Sequence, residues 1–139
     1  MKLKEIEQKL ISKLDEIIGG SAKIIADPSL DISSVRQKIV LNLSFLSEKI
    51  VNKPSINFSV GVKPAFSEYT YRIRISYKDV RNSYDGIYEI LELLKNSLNG
   101  LVINEEDLTV SPIQLVSIDF VEKTDNAFSV YDLKISFKA

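Results

Sequence analysis

Residues 69–100 constrain the fold most, because the period of their apolar side chains changes once within a short stretch. Over residues 69–78, apolar and polar side chains alternate for ten positions. Such alternation predicts a β-strand with one buried and one solvated face, which is typical of an antiparallel sheet covered on one side. The predicted buried face carries Tyr69, Tyr71, Ile73, Ile75 and Tyr77. The predicted solvated face carries Thr70, Arg72, Arg74, Ser76 and Lys78.

After this strand the apolar residues recur at helical spacing. They fall three and four positions apart at Ile87, Ile90, Leu91, Leu94 and Leu98. Ser83 or Asp85 can cap the start of this helix, and Asn99-Gly100 can end it in a left-handed turn. Residues 3–18 show the same helical spacing and are followed by two glycines at 19–20. The sequence therefore predicts two amphipathic helices.

The rest of the chain reads mostly as strands and connections. Alternation predicts further strands over 39–46, 56–62, 116–121 and 130–137, and residues 23–26 could add a short one. A helix through residue 47 is an alternative for 39–46, because short apolar runs are ambiguous. Turn-forming residues lie at 27–29 and 124–126. We expect loops at 47–55, 63–68 and 104–112.

This order of elements predicts the fold class. A helix, two or three strands, a second helix and two strands favour a two-layer α+β fold, with both helices on one face of a mostly antiparallel sheet. The 139 residues show no internal repeat and no shift in composition, so we expect a single domain over 1–139. If the long strands are neighbours, Arg72 and Arg74 share the solvated face with Asp119 and Asp132, and these opposite charges help to fix the register.

Composition excludes several functions. The chain has no Cys and no His, which removes disulfides, zinc sites built on those residues, thiol nucleophiles and imidazole chemistry. A net charge of −1 gives no electrostatic argument for sequence-specific binding of nucleic acid. No apolar run is long enough to span a bilayer, and the N-terminus does not resemble a signal peptide. We therefore expect a cytoplasmic site of synthesis and no membrane partner.

Catalytic patterns are weak. A carboxylate group of Asp79, Asp85, Glu89 and Glu92 could hold magnesium for phosphoryl chemistry. The last three, however, have the spacing of an ordinary solvated helix face. No glycine-rich phosphate loop is present, and no serine has a histidine to activate it. The sequence predicts no enzyme, no metal and no cofactor.

Aromatic and basic residues around the predicted strand at 69–78 suggest two possible binding functions. Five of the six tyrosines lie between positions 69 and 88. Aromatic rings on a sheet can stack nucleic-acid bases, but here three of them share a face with Ile73 and Ile75, which favours a core or a subunit interface. Arg72, Arg74 and Lys78 form a basic stripe, which indicates either cross-strand ion pairs or a contact surface for an acidic partner.

The layout resembles a known family. A strand ending at 77–82 is followed by Gly86, Tyr88 and Leu91 in an amphipathic helix, and the chain closes with a hairpin over 115–135. This pattern resembles the tail terminator, or tail completion, proteins of long-tailed phages, particularly the Mu-like prophage version from contractile tails. The resemblance covers residues 1–18 and 69–138.

The resemblance implies a ring, usually of six copies, that sits on the last ring of the tail tube. Such a ring ends polymerisation of the tube, joins the tail to the neck and contacts the last sheath ring. It implies a location in the virion tail, or in a phage-like particle, assembled in the host cytoplasm. Two alternatives remain open: another neck or head–tail adaptor of a phage or contractile injection system, and an unrelated small α+β binding domain. The expected interface residues are Arg72, Arg74, Lys78, Asp119, Asp132, Lys53, Lys63, Glu105 and Glu106.

Overall fold

Two helices and five strands make up the parts of the chain that the computed structural model describes, which are residues 2–20, 22–51, 66–78, 85–104 and 110–139. The helices are α1 (Leu3–Ile18) and α2 (Asp85–Leu98). The strands are β1 (Ala22–Ile25), β2 (Ile39–Val51), β3 (Phe66–Lys78), β4 (Gln114–Lys123) and β5 (Phe128–Lys138). A short 3-10 helix, Ile32–Ser34, lies between β1 and β2. The strand predicted over 56–62 lies outside the described residues.

The strands form one sheet in the order β1-β2-β3-β5-β4. β1 runs parallel to β2, and the other three pairs are antiparallel. β3 is the central strand and pairs along its length with β2 on one side and β5 on the other. The predicted α+β class with a mostly antiparallel sheet is confirmed.

The apolar side of β3 forms the floor of the core. Tyr69, Tyr71, Ile73 and Ile75 are buried there, as the alternation predicts. The same cluster includes buried side chains from both helices: Ile6, Leu10, Leu14, Ile87, Leu91, Leu94 and Leu98. Both helices therefore cover one face of the sheet. Full burial of an aliphatic side chain of this size contributes about 1.5–3 kcal/mol, so this face dominates the folding free energy.

Glycines end both helices, as predicted. Gly19 has a φ of 82° and Gly100 has a φ of 85°, a region that side chains with a Cβ rarely adopt. The N–H of Gly19 donates to the carbonyl oxygen of Asp15 at 2.8 Å, which closes the last turn of α1. The N–H of Gly100 donates instead to the carbonyl oxygen of Ile113, so the chain leaving α2 is tied to the segment entering β4.

Two predicted loop segments are strands. β2 continues through Val51, and β3 begins at Phe66, so 47–51 and 66–68 belong to the sheet rather than to loops. The two segments pair with each other, with Lys49 opposite Glu68. Residues 45–50 are exposed, and alternation weakens where a strand is solvated on both faces. The alternative prediction of a helix through residue 47 is also wrong, because residues 39–51 form β2.

Asp119 pairs with Asp132 as the prediction for β4 requires, but the burial expected for the apolar residues that alternate with Asp119 is wrong. Val116, Ile118 and Phe120 were expected inside, but their side chains are 57%, 38% and 59% exposed. β4 lies at the edge of the sheet, and its pairing with β5 shifts register at two β-bulges, one after Leu115 and one after Phe120. Each bulge adds an unpaired residue and breaks strict alternation.

The tyrosines of β3 belong mainly to the core. Tyr69 and Tyr71 both stack on Phe137, with ring centroids 5.6 Å and 6.2 Å apart. Their rings lie beneath the helices rather than on the opposite face of the sheet, which argues against base stacking there. The hydroxyl of Tyr71 is buried without a hydrogen-bond partner among the described residues. Burial raises the pKa of this hydroxyl to about 12.

We expect Tyr71→Phe to raise the free energy of unfolding by about 1 kcal/mol at neutral pH, because it removes an unsatisfied buried hydroxyl. Tyr69→Phe is the matched control and should destabilise, because the Tyr69 hydroxyl bonds with Glu48 and Ser67. Denaturant unfolding of the three proteins measures the effect. A Tyr71→Phe variant less stable than the parent would show that the hydroxyl has a partner.

The raised pKa of Tyr71 predicts that the protein loses stability at alkaline pH. The pKa of folded Tyr71, about 12, lies above the ordinary value of 10.0, so the unfolded chain loses this proton first as the pH rises. Stability is complete below pH 10 and falls between pH 10 and about pH 12, by up to about 2 kcal/mol. Unfolding curves across this range should fall less steeply for Tyr71→Phe than for the parent.

Gly86 marks a close approach between α2 and β3. A Cβ placed on this residue would lie 2.6 Å from Cζ of Tyr77. We expect Gly86→Ala to destabilise by about 1–2 kcal/mol, although alanine is the better helix former. In a Tyr77→Val background the same change should become neutral or stabilising. A double-mutant cycle by thermal unfolding tests this, and equal effects in both backgrounds would contradict it.

Candidate binding surface on the open face of the sheet

The face of the sheet opposite the helices carries polar side chains from four strands, and we call it the open face. Strand pairing places three cross-strand rows on it. Read from β2 through β3 and β5 to β4, the rows are Ser44, Arg72, Lys134 and Ser117; Asn42, Arg74, Asp132 and Asp119; and Val40, Ser76, Val130 and Glu122. Four of the predicted interface residues thus lie on one surface.

Arg74 and Asp132 form a two-pronged ion pair across β3 and β5. Nε of Arg74 donates to Oδ1 of Asp132 at 2.8 Å, and Nη2 donates to Oδ2 at 3.0 Å. The hydrogen bond with Asp132 raises the pKa of Arg74. Parallel bonds of this kind are more directional than a single contact. The predicted cross-strand pairing is confirmed for these two residues.

Arg72 has a different environment, although it lies on the same strand and the same face. Its neighbour on β5 is Lys134, and its neighbour on β2 is Ser44. Like charges directly opposite each other are destabilising. Nε of Arg72 is buried and has no hydrogen-bond partner within the described ranges. The sheet therefore supplies a carboxylate to Arg74 and none to Arg72.

Three nearby acids are engaged by serines. Asp119 accepts from Oγ of Ser117 at 2.8 Å and makes no bond to either arginine. Asp27 and Asp31 each accept from both the backbone N–H and the hydroxyl of the serine two residues on. These hydrogen bonds lower the pKa of Asp27 and of Asp31, so both carboxylates are ionised at neutral pH.

The loop over 27–34 forms a wall beside the open face. Asn42 on β2 holds it: the N–H of Asp27 donates to Oδ1 of Asn42 at 3.0 Å, and Nδ2 of Asn42 donates to the carbonyl oxygen of Asp27 at 2.7 Å. A cavity of about 300 Å³ lies between this loop and the strands. We call it the open-face cavity. It is lined by both arginines and Glu122, and by the apolar residues Leu30, Ile32, Val40 and Val130.

The remaining predicted interface residues lie apart from this cavity or outside the described chain. Lys78 is exposed at the end of β3, with its Nζ 5.9 Å from the ring centroid of Phe128, which is within cation–π range. Lys53, Lys63, Glu105 and Glu106 lie outside the described residues, as does Asp79 of the predicted carboxylate group. Glu89 and Glu92 are exposed on α2, as expected for a solvated helix face.

The sequence prediction missed an apolar surface along the outer strand. We call it the β4 edge, and its exposed side chains are Val116, Ile118, Phe120 and Val121. Phe120 contacts Tyr131 edge to face, with ring centroids 5.4 Å apart. A second group of exposed apolar residues, Phe45, Leu46 and Ile50, lies on β2 beyond its pairing with β1. The alternation had suggested burial for Phe45 on β2 and for Val116, Ile118 and Phe120 on β4, while Ile50 was expected in a loop.

Two other kinds of site were sought in the described part of the chain. No group of three or more acidic side chains there lies close enough together to hold a metal ion. Neither described helix has the length and apolar character needed to cross a membrane.

Comparison with known proteins gives a match in structure only. No protein-family model matches the chain, and no curated protein matches its sequence. Among solved structures, the fold is similar to that of a chain from the virion of a native gene transfer agent (GTA) particle. The TM-score is 0.54 at 12% sequence identity, over 96% of this chain and 90% of that chain. The two chains share a fold over nearly their whole lengths.

The two aspartates of the middle row should respond differently to substitution. We expect Asp132→Asn to lower the free energy of unfolding by about 1 kcal/mol, because it removes the negative charge and one of the two oxygens that accept from Arg74. Asp119→Asn removes a charge from the same row, but should cost less than about 0.5 kcal/mol, because its partner is a serine hydroxyl. Urea unfolding compares them, and equal losses would rule out a dominant Arg74–Asp132 pair.

Proposed function

We propose that the chain is a tail terminator of a phage-like particle, which forms a ring on the last ring of the tail tube and ends tube growth. The proposal draws on the order of elements, on the fold shared with a chain of a gene transfer agent virion, and on the distribution of exposed apolar residues. The observation that carries it is the β4 edge. The proposal includes no catalytic step and no cofactor.

The β4 edge has the character of an assembly surface. An edge strand offers unpaired backbone groups, and monomeric proteins usually guard such strands with charged side chains. β4 carries the charged residues Asp119, Glu122 and Lys123, yet Val116 and Phe120 beside them are more than half exposed. The two bulges interrupt a regular ladder, so we infer that a partner contacts this edge mainly through side chains.

A closed ring needs two different surfaces on each copy, because every subunit contacts its neighbours head to tail. The second surface in this proposal is the distal half of β2. β1 pairs with β2 only over Ile39 to Asn42, which leaves the outer side of β2 beyond Asn42 without a strand partner among the described residues. Phe45, Leu46 and Ile50 are exposed there. The two surfaces lie on opposite sides of the central β3–β5 pair.

The partners of the proposed ring are the tail tube protein, the neck and, in a contractile system, the sheath. Arg72, Arg74, Asp119 and Asp132 would face one of them from the open face. The alternative is an adaptor elsewhere in the neck of a phage or contractile injection system. Such an adaptor would belong to the same kind of particle but would not bind the end of the tail tube.

Negative-stain electron microscopy tests the ring. We expect the purified protein to form rings, or to cap one end of purified tail tubes. Phe120→Asp and Val116→Asp should abolish rings and caps, while shifting the melting temperature by no more than about 4 °C, because both side chains are largely exposed. Leu93→Asp, at an exposed apolar position of α2, is the matched control and should leave rings intact.

Each contrary result has a definite meaning. Bare tube ends together with a monomeric protein in sedimentation would overturn the terminator. Binding to neck components without capping the tube would favour the adaptor. Loss of rings in Leu93→Asp but not in Phe120→Asp would move the interface from the β4 edge to α2.

A further inference from the structure

The open-face cavity is lined by a cation, Arg72, that has no counter-ion among the described residues. Arg72 and Arg74 are two residues apart on β3 and point to the same face. The strand beside them supplies Asp132 to Arg74 and Lys134 to Arg72. A buried Nε without a partner costs free energy, and the opposing lysine adds to that cost.

The acids on the open face and in the cavity lining are engaged elsewhere. Asp31, which lines the cavity, accepts two hydrogen bonds from Ser33, and Asp119 accepts one from Ser117. Asp132 uses both of its oxygens on Arg74. The charge of Glu122 acts on Arg74.

We propose that the open-face cavity receives an acidic side chain from a partner protein, and that Arg72 binds its carboxylate. The neighbouring pair provides the pattern, since Arg74 holds a carboxylate through Nε and Nη2 together. A cavity of about 300 Å³ has room for one glutamate side chain and part of the chain that carries it. Arg72 and Lys134 together attract the incoming negative charge.

The lining favours a peptide over a nucleic acid or free phosphate. Leu30, Ile32, Val40 and Val130 offer apolar contacts to the residues that flank a glutamate. Asp31 and Glu122 at the same cavity repel a polyanion that carries a charge at every unit. The net charge of −1 also provides no general attraction for nucleic acid.

The cavity is held in shape before anything binds. Asn42 makes two hydrogen bonds to Asp27 at the start of the wall, and the turns closed by Asp27 and Asp31 stiffen the loop. A site whose walls are already ordered loses less entropy on binding. The proposed function enters only as the source of the acidic segment, which would be a neighbouring protein of the particle.

The test is a titration of the full-length, isotope-labelled protein with acetyl-Leu-Glu-Leu-amide, followed by NMR at the arginine Nε–H resonances. The Arg72 signal is assigned by its absence in Arg72→Gln. We expect the Glu peptide to shift this signal, and the matched peptide with Gln in place of Glu to bind at least about tenfold more weakly. Arg72→Gln should weaken binding of the Glu peptide by a similar factor. Arg72→Lys should weaken it less, because lysine keeps the positive charge but lacks the two parallel N–H donors of a guanidinium group.

Controls separate binding from folding. Lys95→Gln removes a positive charge from α2, on the other layer, and should leave peptide affinity unchanged. Arg72→Gln should melt at or above the temperature of the parent, because it removes an unpaired buried donor opposite Lys134. If Arg72→Gln does not fold, Arg72→Lys and the comparison of the two peptides still decide the question.

Three results would overturn the proposal: equal affinity for the Glu and Gln peptides, unchanged affinity in Arg72→Gln, or stronger displacement of the signal by inorganic phosphate or a short oligothymidine than by the Glu peptide. The last result would assign the cavity to phosphate or nucleic acid. Because the titration uses the isolated chain and a synthetic peptide, its outcome is independent of whether rings or tube caps form.

Discussion

Burial of one side of β3 beneath two helices is the interaction on which the rest of the structure depends. Ile73 and Ile75 are fully buried, in a cluster that also contains the apolar faces of α1 and α2. A strand has only two faces, so the side chains between these residues must point to the opposite face. No helix covers that face in the described part of the chain. The positions of Arg72 and Arg74 on the open face are therefore a consequence of the core.

The register between β3 and β5 then decides the electrostatics of the open face. The pairing that aligns the apolar residues of both strands also sets Arg74 opposite Asp132 and Arg72 opposite Lys134. A slip of one residue would turn apolar side chains out, and the core forbids it. Two arginines on the same strand and the same face thus acquire different environments: Arg74 is bonded to Asp132, while Arg72 lies opposite Lys134.

The outer strands contrast with the core. Folding needs the apolar side chains of β3, β5 and the helices, yet several large apolar side chains on β4 and on the distal half of β2 remain exposed. Burying them would yield free energy only through contact with another molecule. The residues that hold the fold together are therefore largely distinct from the exposed apolar residues of β4 and of the distal half of β2.

The sequence by itself determined the features that depend on local periodicity and backbone sterics. These are the bounds of α1, the buried side of β3, the glycine ends of both helices and the polar character of the open face. The tertiary structure alone decided features that depend on neighbours distant in the chain. The continuation of β2 through Val51 depends on its pairing with β3. The exposure of Phe120 depends on the edge position of β4 and on its two bulges. The environment of Arg72, whose Nε has no hydrogen-bond partner among the described residues, depends on Lys134, which is remote in sequence. Alternation specifies which side chains share a face, but the partner opposite each one is fixed only when strands meet.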